Sequence, residues 1–115
     1  MQIKINVQHI HLSPHQEEMI HSKIEHLSHL SARLDDESSE VRVDLIYEKS
    51  RSAEDAYKCH LTFFVPQDTL RTESHSDSIE NAFDDAIDKM KTQIEYYKSK
   101  IHHMEKRKGA PEIDD

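Results

Sequence analysis

A chain of 115 residues, 35% hydrophobic and 33% charged, is the size of one two-layer domain and too short for a second core. No apolar stretch nears the roughly 20 residues of a membrane span, and the lone Cys59 excludes an internal disulfide. The formal charge of −8 is unevenly spread: residues 1–88 carry 8 Lys/Arg against 18 Asp/Glu (−10), residues 89–108 carry 7 against 2 (+5), and residues 109–115 add −3.

Met1 to Gln8 alternates, with Ile3, Ile5 and Val7 on one side and Lys4 and Asn6 on the other, the pattern of a half-buried strand. It stands where a signal peptide would place an apolar block, so a cytoplasmic location is expected. Ser13-Pro14-His15-Gln16 combines an N-cap serine, a proline at the first helical position and a glutamine at the third, which opens a helix. Its stripe is Ile20, Ile24, Leu27, Leu30 and Leu34, and Asp35-Asp36-Glu37-Ser38-Ser39 ends it.

Val41, Val43, Leu45 and Tyr47 predict a second strand, and Tyr57, Cys59, Leu61, Phe63 and Val65 a third, joined through the polar segment Glu48 to Asp55. Pro66-Gln67-Asp68 supplies a turn into a short fourth strand, Thr69 to His75. Asp77-Ser78-Ile79-Glu80 reads as a second capping box. From Ile79 through Ala82, Phe83, Ala86, Ile87, Met90, Ile94, Tyr97, Ile101 and Met104 helical spacing persists for almost eight turns. A helix over about 77–107 would be roughly 45 Å long, more than a four-stranded sheet about 20 Å wide can cover, so its last turns are expected to overhang. The fold class is thus α+β: a β-α-β-β-β-α two-layer sandwich, with a four-stranded sheet and two helices packed on one face. The domain spans 1–107, and 108–115 reads as a disordered acidic tail.

On a 100° wheel, Lys89, Gln93, Tyr96, Lys100, His103 and Arg107 fall along one flank of the last helix, and Lys91, Lys98 and His102 along the other, with Glu95 among them. Such paired ribbons can straddle a phosphate backbone while Tyr96 stacks on an unpaired base. The same lysines also complement the helix dipole, as Glu80, Asp84, Asp85 and Asp88 do at its start. The charge split leaves this helix as the one place where a polyanion can meet the chain.

Ten histidines invite a metal reading, His9 with His11 on a strand face and His26 with His29 on a helix face, yet neither pair has a third ligand in sequence reach. They read as surface residues able to gain charge as pH falls. Catalysis has no footing: one glycine leaves no phosphate-cradling loop, no nucleophile has a recognisable setting, and Cys59 falls on an apolar strand face as an inert thiol. Phe64 points to the opposite face, outside the core. No cofactor is expected.

With that element order, the chain resembles the ribosome hibernation-promoting factor and ribosome-associated translation inhibitor family, also called the sigma-54 modulation family, in its short form. The resemblance covers about residues 1–103. Its most specific stretch is Ala82-Phe83-Asp84-Asp85-Ala86-Ile87-Asp88-Lys89-Met90, similar to the family's A-I-D-x-x-x-D-K-L motif, continued by Gln93-Ile94 and Tyr97-Lys98-Ser99-Lys100-Ile101. Glu48-Lys49, Val65-Pro66 and Leu70-Arg71-Thr72-Glu73 also sit where that family has similar residues.

The resemblance implies a stress or stationary-phase factor that binds the small ribosomal subunit and its rRNA, in the channel of messenger and transfer RNAs, and acts by steric occlusion. The expected rRNA-binding residues are Lys49, Lys89, Lys91, Tyr96, Lys98, Lys100, His103 and Arg107. DNA and membrane partners are not expected, and a helper hibernation protein or weak homodimer is allowed. Thr92, Glu95 and Tyr96 stand where relatives tend to carry Arg or Lys, and Glu80 where an aromatic is common, which removes positive charge from the interface. A competing reading is an acidic protein-interaction module on the same fold, in which Ile94, Tyr97, Ile101 and Met104 pair with a partner helix or a second copy. A double-stranded-RNA-binding domain would want positive charge where Asp77, Glu80, Asp84 and Asp85 stand.

Overall fold

The computed structural model describes residues 1–31, 34, 36–49 and 51–109, with side chains as far as residue 102. Its order is β1 (Gln2–Gln8), α1 (Pro14–Ser28), β2 (Glu40–Tyr47), a 3-10 turn (Ala53–Asp55), β3 (Tyr57–Val65), β4 (Asp68–Ser76) and α2 (Ile79–Gly109). The strands form one mixed sheet in the order β1-β2-β3-β4, β1 parallel to β2 and the other pairs antiparallel. Both helices pack on one face of it. That is the architecture expected from the sequence.

Strand alternation decides which face carries the helices. Val41, Val43 and Leu45 of β2, Cys59, Leu61, Phe63 and Val65 of β3 and Leu70 of β4 are buried beneath Ile20, Ile24 and Leu27 of α1 and Ala82, Phe83, Ala86, Ile87, Met90, Ile94, Tyr97 and Ile101 of α2. Each large aliphatic or aromatic side chain so buried contributes roughly 1.5–3 kcal/mol relative to exposure. β1 is thinner cover: Ile3 and Ile5 are half-buried and Val7 is 44% exposed.

The opening of α1 is as expected, with the Ser13 hydroxyl accepting from Gln16 N–H and the Gln16 side chain accepting from Ser13 N–H. Its end is not. The helix stops at Ser28, whose hydroxyl donates back to the Glu25 carbonyl at 2.7 Å, a local bond that competes with the helical ladder. Leu34 still reaches the core, but from a separate turn in which its N–H donates to Ser31 O.

The expected second capping box does not form, and the cap lies one residue later. Ser78, not Asp77, caps α2 by accepting from Asn81 N–H, and the Asn81 amide donates to the Asp77 carboxylate. Glu80 is thereby freed from capping. β4 runs one residue further at each end than predicted.

The β3–β4 connection places Pro66 and Gln67 between the paired residues Val65 and Asp68. Gln67 has φ 71°, the left-handed conformation that a type II turn requires after proline, here adopted without glycine. His9, φ 59°, likewise ends β1, so His9 and His11 do not share a strand face.

α2 runs along the β3–β4 hairpin and not across the sheet. Thr72 donates to the Ala86 carbonyl, and the Tyr97 hydroxyl donates to Pro66 O at 2.9 Å beside the turn. The dimension that matters is strand length: nine residues at about 3.3 Å reach about 30 Å. Core cover therefore extends to Ile101, further than sheet width implied. The backbone is helical through Gly109, so Lys108 and Gly109 continue the helix where the 108–115 tail was expected to begin; residues 110–115 lie outside the described residues.

Candidate nucleic-acid interface

The direction of α2 sorts its two flanks. Lys89 donates to the Glu73 carbonyl at 2.8 Å and Lys100 Nζ lies 3.3 Å from Asp68 Oδ2, so the first flank overhangs the β4 edge of the sheet. Tyr96, between them in sequence, is 76% exposed. The second flank faces α1, where Lys91 lines a groove between the helices, and Lys98 follows two turns on.

Each described lysine of α2 has a partner. Lys91 pairs with Asp88 at 3.8 Å and Lys98 with Glu95 at 3.7 Å, both three residues apart on the helix, and Lys100 with Asp68. All are solvent-facing pairs. Such pairs contribute about 0–1 kcal/mol and are screened by salt, so a phosphate can replace the carboxylate at small cost. His103 and Arg107, predicted to extend the first flank, have side chains outside the described residues.

Lys49 is exposed in the β2–β3 connection, near Gln8, His9 and Tyr47. The register pairs Tyr47 with Tyr57 and Tyr57 with Ser76, whereas Lys100 reaches Asp68 at the other end of β4. The fold therefore holds Lys49 and Lys100 about a full strand length apart, about 30 Å. They can share only an extended ligand.

The open face of the sheet carries charge that the sequence reading did not single out. Arg42 on β2 lies with its guanidinium 5.4 Å from the centroid of the Phe64 ring, and the register puts Lys4 directly beside Arg42 and Arg71 in the same row across Thr62. This accounts for Phe64: it is half-buried under an arginine. Further along, Glu73 holds His60 at 3.2 Å and His75 at 3.1 Å. Partial desolvation would raise the Glu73 carboxyl; the hydrogen bond from His75 and the charges of His60 and Lys58 outweigh it and hold it below the ordinary carboxylate range. The signal for this face was available in strand alternation, which puts Arg42, His60, Phe64, Arg71, Glu73 and His75 opposite the core.

The apolar face of α2 is not free. Ile94 is fully buried, Tyr97 is 2% and Ile101 8% exposed, so the partner-helix stripe expected in the interaction-module reading is already covered by the molecule's own hairpin; Met104 lies outside the described side chains. Cys59 is buried in the core, and burial followed by the charge of Asp44 pushes its thiol up to about 12. Among the described residues no group of three or more His, Cys, Asp or Glu is placed to hold a metal ion, and no helix is long and apolar enough to cross a membrane.

The model of the sigma-54 modulation protein / S30EA ribosomal protein family matches residues 3–102, from β1 to the last described side chain of α2. The chain belongs to this family. The sigma-54 modulation/S30EA family is one of ribosome-associated binding factors, not enzymes. Among solved structures, the Thermus thermophilus Protein Y N-terminal domain is similar at a TM-score of 0.69 and 17% identity, over 84% of this chain and 99% of that one. A ribosomal subunit interface protein from Coxiella burnetii is similar at a TM-score of 0.69 and 21% identity, over 86% and 99%. These likenesses show that the S30EA fold is kept at low identity. No curated protein sequence matches the chain.

Proposed function

We propose that this S30EA-family chain is a translation inhibitor or hibernation factor that occupies the messenger and transfer RNA channel of the small ribosomal subunit, with α2 against rRNA. The observation that carries this reading is the solvent-facing line Lys89, Tyr96, Lys100 on α2, where a 76%-exposed aromatic stands between two lysines held only by exposed partners. Base stacking on an aromatic is worth about 1–3 kcal/mol, and each lysine that exchanges its partner for a phosphate releases a counterion. Lys91 and Lys98 supply the same contact from the second flank, and Lys49 reaches a distant segment of the same RNA.

The mechanism is occupancy. A protein seated in the channel excludes messenger and transfer RNA without chemistry, so no cofactor is needed. The net −10 of residues 1–88 disfavours RNA over most of the remaining surface, Lys49 apart, and so restricts the orientation of approach. Ribosome association places the chain in the cytoplasm, and the name of the Coxiella relative, a subunit interface protein, agrees with this position.

Sedimentation of the chain with purified subunits tests the proposal. Recovery with the small subunit and not with the isolated large one is expected. Equal recovery with both, or with neither at low salt, overturns it.

A further inference from the structure

Beside the second flank of α2, the two helices leave an open groove of about 550 Å³. Leu27 and Ile87 contribute its apolar lining, and a Lys23–Asp84 ion pair ties α1 to α2 across it. The remaining charged or titratable groups on it are Glu25 and His26 from α1, His29 just past its end, and Asp88 and Lys91 from α2. His29 also lines the adjoining recess with Met1, whose amino terminus and Glu25 are the groups facing it from that side.

With both imidazoles neutral, the groove's own two lysines stand against its three carboxylates, a net −1, the amino terminus lying outside it in the adjoining recess. With both protonated the groove carries +1. Histidine is the side chain whose charge changes between about pH 5 and 8, while carboxylates titrate near about 4 and stay ionised through that window. The His26 and His29 side chains are exposed. The whole molecule moves the same way: its ten histidines, fully protonated, would turn −8 into +2.

We infer that this groove is a binding site for RNA backbone phosphate that is closed by its own charge at neutral pH and opened by protonation of His26 and His29. The inference rests on the RNA reading of α2 and deepens it, because Lys91 belongs to both the groove and the basic flank. A phosphate entering beside Lys91 meets Asp88 and Asp84 unless the imidazolium groups offset them. Once charged, both rings offer N–H donors of the kind that phosphate oxygens accept. Acidification then extends the RNA contact from α2 onto α1.

The test is the affinity of the full chain for a single-stranded RNA oligonucleotide at constant ionic strength, at about pH 7.2 and about pH 5.8. The wild type is expected to bind about tenfold tighter at the lower pH, the size of one charge-assisted hydrogen bond. A His26→Gln/His29→Gln variant is expected to lose that gain, and a His9→Gln/His11→Gln control to keep it. An unchanged wild-type affinity, or a full gain in the His26→Gln/His29→Gln variant, overturns the proposal. Should that variant fail to fold, the ring resonances of His26 and His29 in the wild type give the answer: they must shift on adding RNA at the lower pH, and stationary resonances refute the site. Sedimentation with small subunits in parallel separates the two readings, since oligonucleotide binding gained through His26 and His29 without subunit binding keeps the groove and discards the ribosomal role.

Discussion

The Gln16 side-chain amide donates to Glu80 Oε2 at 2.9 Å, fastening the first turn of α1 to the first turn of α2. Gln16 is already the reciprocal member of the α1 capping box, so a single side chain serves both helix starts. That hydrogen bond is the main cause of a Glu80 carboxyl below its ordinary range; its own backbone N–H adds to the effect, and desolvation and Asp84 oppose it.

A depressed carboxylate stabilises the fold above its unfolded-state pKa, and that contribution is lost as pH falls through the folded value. Glu80→Gln should therefore lower the melting temperature most at neutral pH, and the gap to wild type should narrow as pH falls below the ordinary glutamate range of about 4.3 and through the depressed folded value. Thermal unfolding at several pH values measures it; a gap that is constant or widens in acid contradicts the assignment.

At the other end of α2, Tyr97 and Ile94 separate polar from apolar stabilisation. Tyr97→Phe removes the hydroxyl that satisfies Pro66 O and should cost about 1 kcal/mol. Ile94→Ala opens a cavity over the sheet and should cost roughly 2–5 kcal/mol. Denaturant titration resolves the two, and equal losses would show that the helix end is anchored by the turn and not by the core.

Cys59 should be silent in the native state. The thiolate is the reacting species, and a thiol pushed up to about 12 in a sealed core supplies almost none at neutral pH. An aromatic disulfide reagent should label it only as fast as the protein unfolds, with full labelling in denaturant. Rapid labelling of folded protein would show that β3 opens locally.

Lys89→Gln with Lys100→Gln should weaken RNA and small-subunit binding together and flatten the log–log salt dependence by about 1.4–1.8, the share of two phosphate contacts at about 0.7–0.9 each. Both lysines are exposed, so stability should shift by no more than about 0.5 kcal/mol per site. An unchanged salt slope in the folded variant would remove the β4-edge flank from the interface.

Periodicity carried the fold because apolar alternation and helical spacing act through the same burial that forms the core: Ile20, Val43, Phe63 and Ile87 are all inside. What it could not carry was competition between local and distant partners. Ser28 ends α1 with a bond to Glu25 that any helical serine could make, and the cap moved from Asp77 to Ser78 because Asn81 could serve both. The flanks of α2 were legible as two lines on a wheel, whereas the pairing of Lys91 with Asp88 and Lys100 with Asp68, and the distance from Lys49, depend on helix direction and strand register. The groove of His26 and His29 needed two helices side by side, which no local pattern contains.

The parallel pairing of β1 with β2 has a kinetic consequence. β3 and β4 meet across a two-residue turn and α2 follows at once, whereas Gln2 finds Glu40 only after α1 and the loop beyond it have closed the chain. Contacts of low sequence separation form before those that must first meet a long loop-closure entropy. The β3–β4 hairpin with α2 is thus expected to form before β1 takes its place beside β2, an order that φ-values at Phe63, Ile87 and Ile5 would check.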